Sequence, residues 1–468
     1  MNVKLSFLGA ARQVTGSKYL LEVDGHRLLI DCGMYQEWKL KTRNWQPLPV
    51  PPDSIDAVLL THAHLDHSGW LPRAVNQGFK GPIYCTNATA ALAQIVLLDS
   101  AKLQAEDTEF KRRRHQREGR QVDHPVVPLY DEEDVKQTLP LFRRVGLDRP
   151  VEVAPGVRAT FFEAGHILGS TMIQVEVTSG NQQRTLLFSG DVGRWDKPIL
   201  NDPTSFAEAD YVIVESTYGD RLHSDGGELL DLFANVINDT NQRGGNVVIP
   251  SFAIGRTQEL LYYLNELLHG DRIPNLAVFI DSPMAIRVND VFTRHAELFD
   301  DETKKLLAEQ LSPFEIPTLK LCRSAGESKA INHIRGTAII IAGSGMCTGG
   351  RIKHHLEHNI TRPESTVLFV GFQASDTLGG NIQAGTQVVR INGQEFRVRA
   401  RIETLHGFSA HADRDELMRW LGSLQRPPRQ VFVTHGEDKT AQSFASHLAE
   451  RKGWRALAPK LDETVELS

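Results

Sequence analysis

The densest chemistry in the chain lies in one short segment, THAHLDHSG, which places His62, His64, Asp66 and His67 directly after the apolar run AVLL. Imidazole and carboxylate groups with no thiolate nearby suit hydrolytic zinc better than structural zinc. Four such groups on one turn cannot all reach a single tetrahedral ion that keeps an open position. They can serve two adjacent ions, with His62 and His64 on one and Asp66 and His67 on the other. His166 in FFEAGHILGS and Asp191 in LLFSGDVGR also follow strand-like runs. Both are expected as ligands, and a carboxylate at Asp191 can bridge two metals. Asp31, which ends LLIDCG, is expected to orient a ligand histidine by hydrogen bond. A turn-forming Asp ahead of Gly33 is the plainer alternative.

The elements that must hold these groups follow from periodicity. VKLSFLGA, SKYLLEVD and HRLLIDCG are strand-length runs with β-branched content, and they predict hairpins. The stretch from about Leu92 to Arg120 reads as a charged helix. VRATFFEAGH, TMIQVEVTSG, TLLFSGD and YVIVEST form a second β-rich region. From about Asn246 to Val370, strand-like and helical runs alternate, which signals βαβ units on a parallel sheet. VRARIETLHGFSAHAD then reads as a return to β structure. The expectation is one domain interrupted by another: a first part over 1–209, an inserted α/β domain over 210–390, and a return segment over 391–468.

The 468 residues are 41% hydrophobic and 24% charged, an ordinary globular composition. No run approaches the roughly 18 apolar residues that span a bilayer. No membrane association and no secretory signal are expected. The cysteines Cys32, Cys85, Cys322 and Cys347 are widely spaced, without a CxxC pair, which fits a reducing cytoplasm. A net charge of −6 argues against nucleic-acid binding by the whole surface but leaves room for a local basic groove.

In their order along the chain, Asp31, the HxHxDH of His62 to His67, His166 and Asp191 resemble the metallo-β-lactamase superfamily. That family implies an αββα sandwich with the metal site at one edge. After Asp191 the resemblance sharpens to the β-CASP branch. Glu215 in VIVESTYGD matches its motif A, His411 in GFSAHAD its motif B, and His435 in VFVTHGE its motif C. IPSFAIGRTQELLYYL and IIIAGSGMCTGGR are similar to β-CASP sequence as well. Members that process RNA, similar to the cleavage and polyadenylation endonuclease and RNase J, carry His at motif C, whereas DNA-repair members carry Val. The resemblance therefore implies an RNA phosphodiesterase with two Zn²⁺, with His435 joining Asp66 and His67.

Two-metal hydrolysis is the mechanism this implies, with ions roughly 3.5–4 Å apart activating a bridging water. Asp191 bridges them, and His411, polarised by Glu215, is the general acid. An imidazole suits that task because its unperturbed pKa is about 6.5. Single-stranded RNA is the expected partner, and a homodimer is left open. Three competing readings are a DNA nuclease, a hydrolase of a small ester or thioester, and a scaffold subunit without catalysis.

Two Gly-rich strand-to-helix loops are candidates for phosphate, because backbone N–H groups at a helix start can cradle it. GSGMCTGGR offers Ser344, Thr348, Gly349 and Arg351, and SFAIGR offers Ser251 and Arg256. A tight βα turn is the alternative for each. The basic run KRRRHQREGR from Lys111 is expected to be a solvated helix face. DTLGG (Asp376 to Gly380) departs from the GTLGR usual in the family and removes positive charge there. His406 is assigned no role.

Overall fold

The computed structural model describes residues 2–37, 39–118, 126–223, 228–334, 336–371, 373–374 and 377–467. The chain forms two compact units. One comprises residues 1–195, 202–222 and 411–468; the other comprises 196–201 and 223–410.

The first unit has two seven-stranded sheets. One runs in the order Thr464–Glu466, Val3–Phe7, Tyr19–Val23, His26–Ile30, Ala57–Leu59, Ile83–Thr86, Phe142–Val145. The other runs Ala456–Leu457, Gln430–Thr434, Tyr211–Glu215, Gln182–Phe188, Thr171–Ser179, Val157–Glu163, Val151–Ala154. Each sheet is antiparallel at one side and parallel at the other. The expected hairpins at the start are present, pairing Val3 with Val23 and Tyr19 with Ile30.

Alternate residues of the two sheets meet in one core: Leu5, Phe7, Leu21 and Ile30 from the first, Phe161, Ile173, Phe188 and Phe432 from the second. The Phe7 and Phe432 rings are 5.1 Å apart between centroids. Helices cover the outer faces. On the second sheet, Arg414–Leu421 and Asp438–Lys452 bury Leu417, Trp420, Phe444 and Leu448 against Val212, Val214, Val431 and Val433. The long helix Asn87–Glu118 lies along strands of the first sheet. This is the αββα sandwich, with the parallel strand ends delivering side chains to one edge.

The second unit is built on a six-stranded parallel sheet in the order Leu319–Leu321, Ala277–Asp281, Ala338–Ala342, Val247–Pro250, Thr366–Phe369, Arg401–Thr404. From Val247–Pro250 the chain crosses toward one edge, and from Ala338–Ala342 toward the other. Those two neighbouring strands flank a topological switch point, where open α/β sheets place ligand sites beyond the strand carboxyl ends. Both Gly-rich loops leave from there.

The unit boundaries differ from the sequence expectation at both ends. Tyr211–Glu215 stays in the first unit because it pairs with Gln430–Thr434 and Gln182–Phe188. Arg401–Thr404 does not return to the first unit; it pairs in parallel with Thr366–Phe369, and Ala400 packs into the second unit's core. The return begins at His411.

Candidate metal centre

All seven expected ligands lie in the first unit, at strand ends or on the turn that follows one. They converge as two donor sets. His62, His64, His166 and Asp191 form one, and Asp66, His67 and His435 form the other. In the first set, His62 Nε2 is 3.0 Å from His64 Nδ1, and His166 Nε2 is 3.3 Å from the same atom. Asp191 Oδ2 is 3.4 Å from His62 Nε2 and 3.4 Å from His166 Nε2. In the second set, His67 Nε2 and His435 Nε2 are 3.0 Å apart. Asp191 Oδ1 lies 3.3 Å from His67 Nε2 and 3.6 Å from His435 Nε2, and Asp66 Oδ2 is 3.6 Å from His435 Nε2. One carboxylate therefore turns one oxygen to each set.

The donors fit metal. Four ligands at Zn–N lengths of about 2.0–2.1 Å stand roughly 3.4 Å from one another, close to the spacings here. Asp191 Oδ1 is buried yet has no hydrogen-bond partner. A buried carboxylate oxygen left this way is costly unless a cation meets it.

The surroundings hold the ligands in place. Asp31 Oδ2 accepts from His67 Nδ1 at 2.6 Å, which turns the Nε2 lone pair toward the second set. Asp31 is in turn held by Thr61, from both its backbone N–H (2.8 Å) and its hydroxyl (2.9 Å), and by Ser17 Oγ (3.1 Å). Beneath the ligand turn, Cys32 N donates to His67 O at 2.7 Å and Ser17 N to Asp66 O at 2.8 Å. Gly33 is required there, since a Cβ would sit 1.6 Å from Asp66 O. Thr217 Oγ1 braces His435, lying 3.1 Å from Nδ1. Thr61, Ser17 and Thr217 escaped sequence reasoning. Thr61 and Thr217 adjoin motif residues, which was the available signal.

Charge is distributed unevenly. Burial, reinforced by His67, pushes His62 well below its ordinary pKa, and burial lowers His64 to about 4. Both are neutral and able to donate lone pairs. Burial would raise Asp66 and Asp191, but hydrogen bonding and the surrounding imidazoles outweigh it and hold both carboxyls low.

His411 stands beside the donor sets. Its Nδ1 is 3.1 Å from both oxygens of Glu215 and 3.9 Å from Asp191 Oδ2. Burial opposes its charge, yet Glu215 and Asp191 prevail and raise its pKa to about 9. Glu215 is fixed by Val192 N at 2.7 Å. The Tyr218 ring stacks on His411 with centroids 6.3 Å apart. Nδ1 is thus held by Glu215, and Nε2 is the ring nitrogen on the far side.

The second unit holds the expected phosphate loops. Ser251 is buried, with Oγ 3.1 Å from Thr257 Oγ1. Arg256 pairs with Glu259 at 2.6 Å. Ser344 Oγ accepts from Thr348 N (3.1 Å) and Gly349 N (3.3 Å). Arg351 is used differently from a phosphate ligand: Nη1 binds Asp281 and Cys322 O, and Nη2 binds Arg323 O. Asp281 also accepts from His355 Nε2 at 2.6 Å and from Ser328 Oγ. Asp376 lies outside the described residues; Gly380 donates its N–H to Thr377 Oγ1, the cap of Leu378–Gln383. The basic run is a solvated face through Glu118, with Arg113 on Glu109 and Arg114 on Glu118.

Comparison with known proteins agrees with this geometry. The metallo-beta-lactamase superfamily model matches residues 12–223, the Beta-Casp domain 257–382, and the Zn-dependent metallo-hydrolase RNA specificity domain 395–459. Ribonuclease TTHA0252 of Thermus thermophilus is 40% identical over 448 residues, covering 95% of each chain. The chain belongs to the β-CASP branch of the metallo-β-lactamase superfamily. Transcription termination factor FttA of Methanosarcina mazei is another relative, 30% identical over 99% of this chain and 72% of its own. A crystal structure of a protein of unknown function from Enterococcus faecalis V583 aligns over 100% of both chains with a TM-score of 0.54 at 10% identity, a likeness of fold. As a β-CASP protein the chain is a metal-dependent hydrolase, and its donor sets are of the kind that metal requires.

Proposed function

We propose that this protein is a ribonuclease that hydrolyses phosphodiester bonds of single-stranded RNA with two Zn²⁺. The observation that carries the reading is Asp191, which divides its oxygens between two donor sets that each have at least two imidazoles or a second carboxylate. His62, His64 and His166 would hold one ion, Asp66, His67 and His435 the other, and Asp191 both. Bound there, such ions lower the pKa of water and stabilise charge on phosphoryl oxygens.

The chain's own groups supply the remainder. Asp31 keeps the His67 tautomer. His411, charged at neutral pH beside Glu215, gives its proton to the leaving oxygen. Asp191 orients the nucleophile. Ser251, Arg256, Ser344, Thr348 and Gly349 are proposed to meet the RNA backbone, contacts that position a strand without reading its sequence. Arg351 serves the same loop by tying it to Asp281. A DNA nuclease is the nearest alternative, and His435 speaks for RNA because RNA-processing members carry His at this motif. Four free, buried cysteines suit a cytoplasmic setting.

The test is cleavage of 5′- and 3′-end-labelled single-stranded RNA and matched DNA, wild type beside Asp66→Ala. Cutting of RNA alone, lost in the variant, is expected, and the ladder separates endo from exo action. Equal cutting of DNA, or an unaffected variant, would overturn the reading.

A further inference from the structure

Helix Ile352–Asn359, in the second unit, carries another grouping of metal-type donors outside the centre described above. His354, Glu357 and His358 stand at i, i+3 and i+4, so they share one face. Each places a ligand atom within 4.8 Å of the other two. The two rings are 4.5 Å apart between centroids.

Neighbouring groups fix all three side chains. His358 Nδ1 donates to the His354 carbonyl at 2.8 Å, which leaves the Nε2 lone pair available. Glu357 Oε1 accepts from Asn392 Nδ2 at 2.9 Å. Asn332 Nδ2 donates to His354 Nε2 at 2.8 Å, a bond that an ion at this ring would replace. The partners of His358 and Glu357 are of the kind that orient ligands in metal sites. Burial, aided by His358 and His355, lowers the pKa of His354 and keeps it neutral at working pH. His354 and Glu357 are half-buried and His358 is exposed, so an ion can enter from solvent.

We propose that His354, Glu357 and His358 form a separate site for one divalent transition-metal ion of the zinc, cobalt or nickel class, with water completing the coordination. Two imidazoles select these ions over magnesium or calcium. The site is independent of the catalytic reading. It also has a place in the unit's architecture. His355, on the same helix, and Arg351, at its start, both bind Asp281 beneath the Gly343–Gly350 loop. An ion clamping the last turn would hold that helix folded and raise the unit's resistance to unfolding.

The experiment is equilibrium dialysis of the full chain against Zn²⁺, wild type beside His358→Gln and Glu357→Gln, with circular dichroism as the check on folding. Wild type is expected to take up one ion more per chain than His358→Gln, with Glu357→Gln binding that ion several-fold more weakly. His67→Ala, which damages the buried centre, is expected to keep the extra ion. Identical uptake by wild type and folded His358→Gln would overturn the proposal, as would loss of the extra ion in His67→Ala. Should His358→Gln fail to fold, Glu357→Gln decides alone, and unchanged uptake there overturns it.

Discussion

Asp191 and Asp281 are the same residue type in the same kind of place. Each lies at the carboxyl end of a strand that pairs in parallel, and each is buried, at 2% and 0% exposure. Their surroundings differ completely. Asp281 has Arg351 on one oxygen and His355 and Ser328 on the other. Burial would raise its pKa, but these partners prevail and hold it low. It is electrically complete within the protein. Asp191 faces imidazoles at 3.3–3.6 Å and leaves Oδ1 without a hydrogen bond. A buried acid with its own cation is an anchor; one ringed by imidazoles and short of a hydrogen-bond partner is a receptor.

That contrast can be broken by substitution. The largest effect is expected from Asp191→Asn: RNA cleavage falls to background and bound metal drops, read by end-label assay and elemental analysis, with the thermal midpoint changed little once metal loss is allowed for. Asp281→Ala should do the reverse, leaving Arg351 as a partly buried charge without its anion. Its cost is about 3–5 kcal/mol of stability, measured by denaturant unfolding, while the first unit keeps its metal. A centre emptied by Asp281→Ala would erase the distinction.

His411→Ala is expected to lower kcat by about 10²–10⁴-fold with metal content intact. A general acid works only when protonated, so the rate should fall as pH rises through the His411 pKa. Glu215 and Asp191 raise that pKa to about 9, and bound cations oppose them. Glu215→Gln removes one anion and should move this limb to lower pH, visible in a kcat–pH profile. Asp31→Asn is the mildest change at the centre: about 10–100-fold weaker metal binding, because the His67 tautomer loses its partner.

The converging donor groups were legible because the chemistry recurs at short spacing: THAHLDH alone points to it, and His166, Asp191 and His435 each follow an apolar run. Asp281 was not, since its partners lie 47, 70 and 74 residues away and nothing local distinguishes FIDSP from FSGDV. Arg351, drawn to phosphate by its Gly-rich loop, shows the same limit: only the fold reveals that its guanidinium is engaged. Tyr211–Glu215 and Arg401–Thr404 misled the domain limits for a related reason. A strand's pattern states that it is buried, but not in which sheet.

The order of the strands also sets a timetable. His435 comes after the whole second unit, and Thr464 meets Ser6 across 458 residues, side chain to side chain at 2.8 Å. A ribosome delivers His62, His64, Asp66, His67, His166 and Asp191 before the second unit is made, and His411 and His435 only after it. A chain that stops within the second unit therefore has six of the seven donors but lacks His435, and His411 beside them.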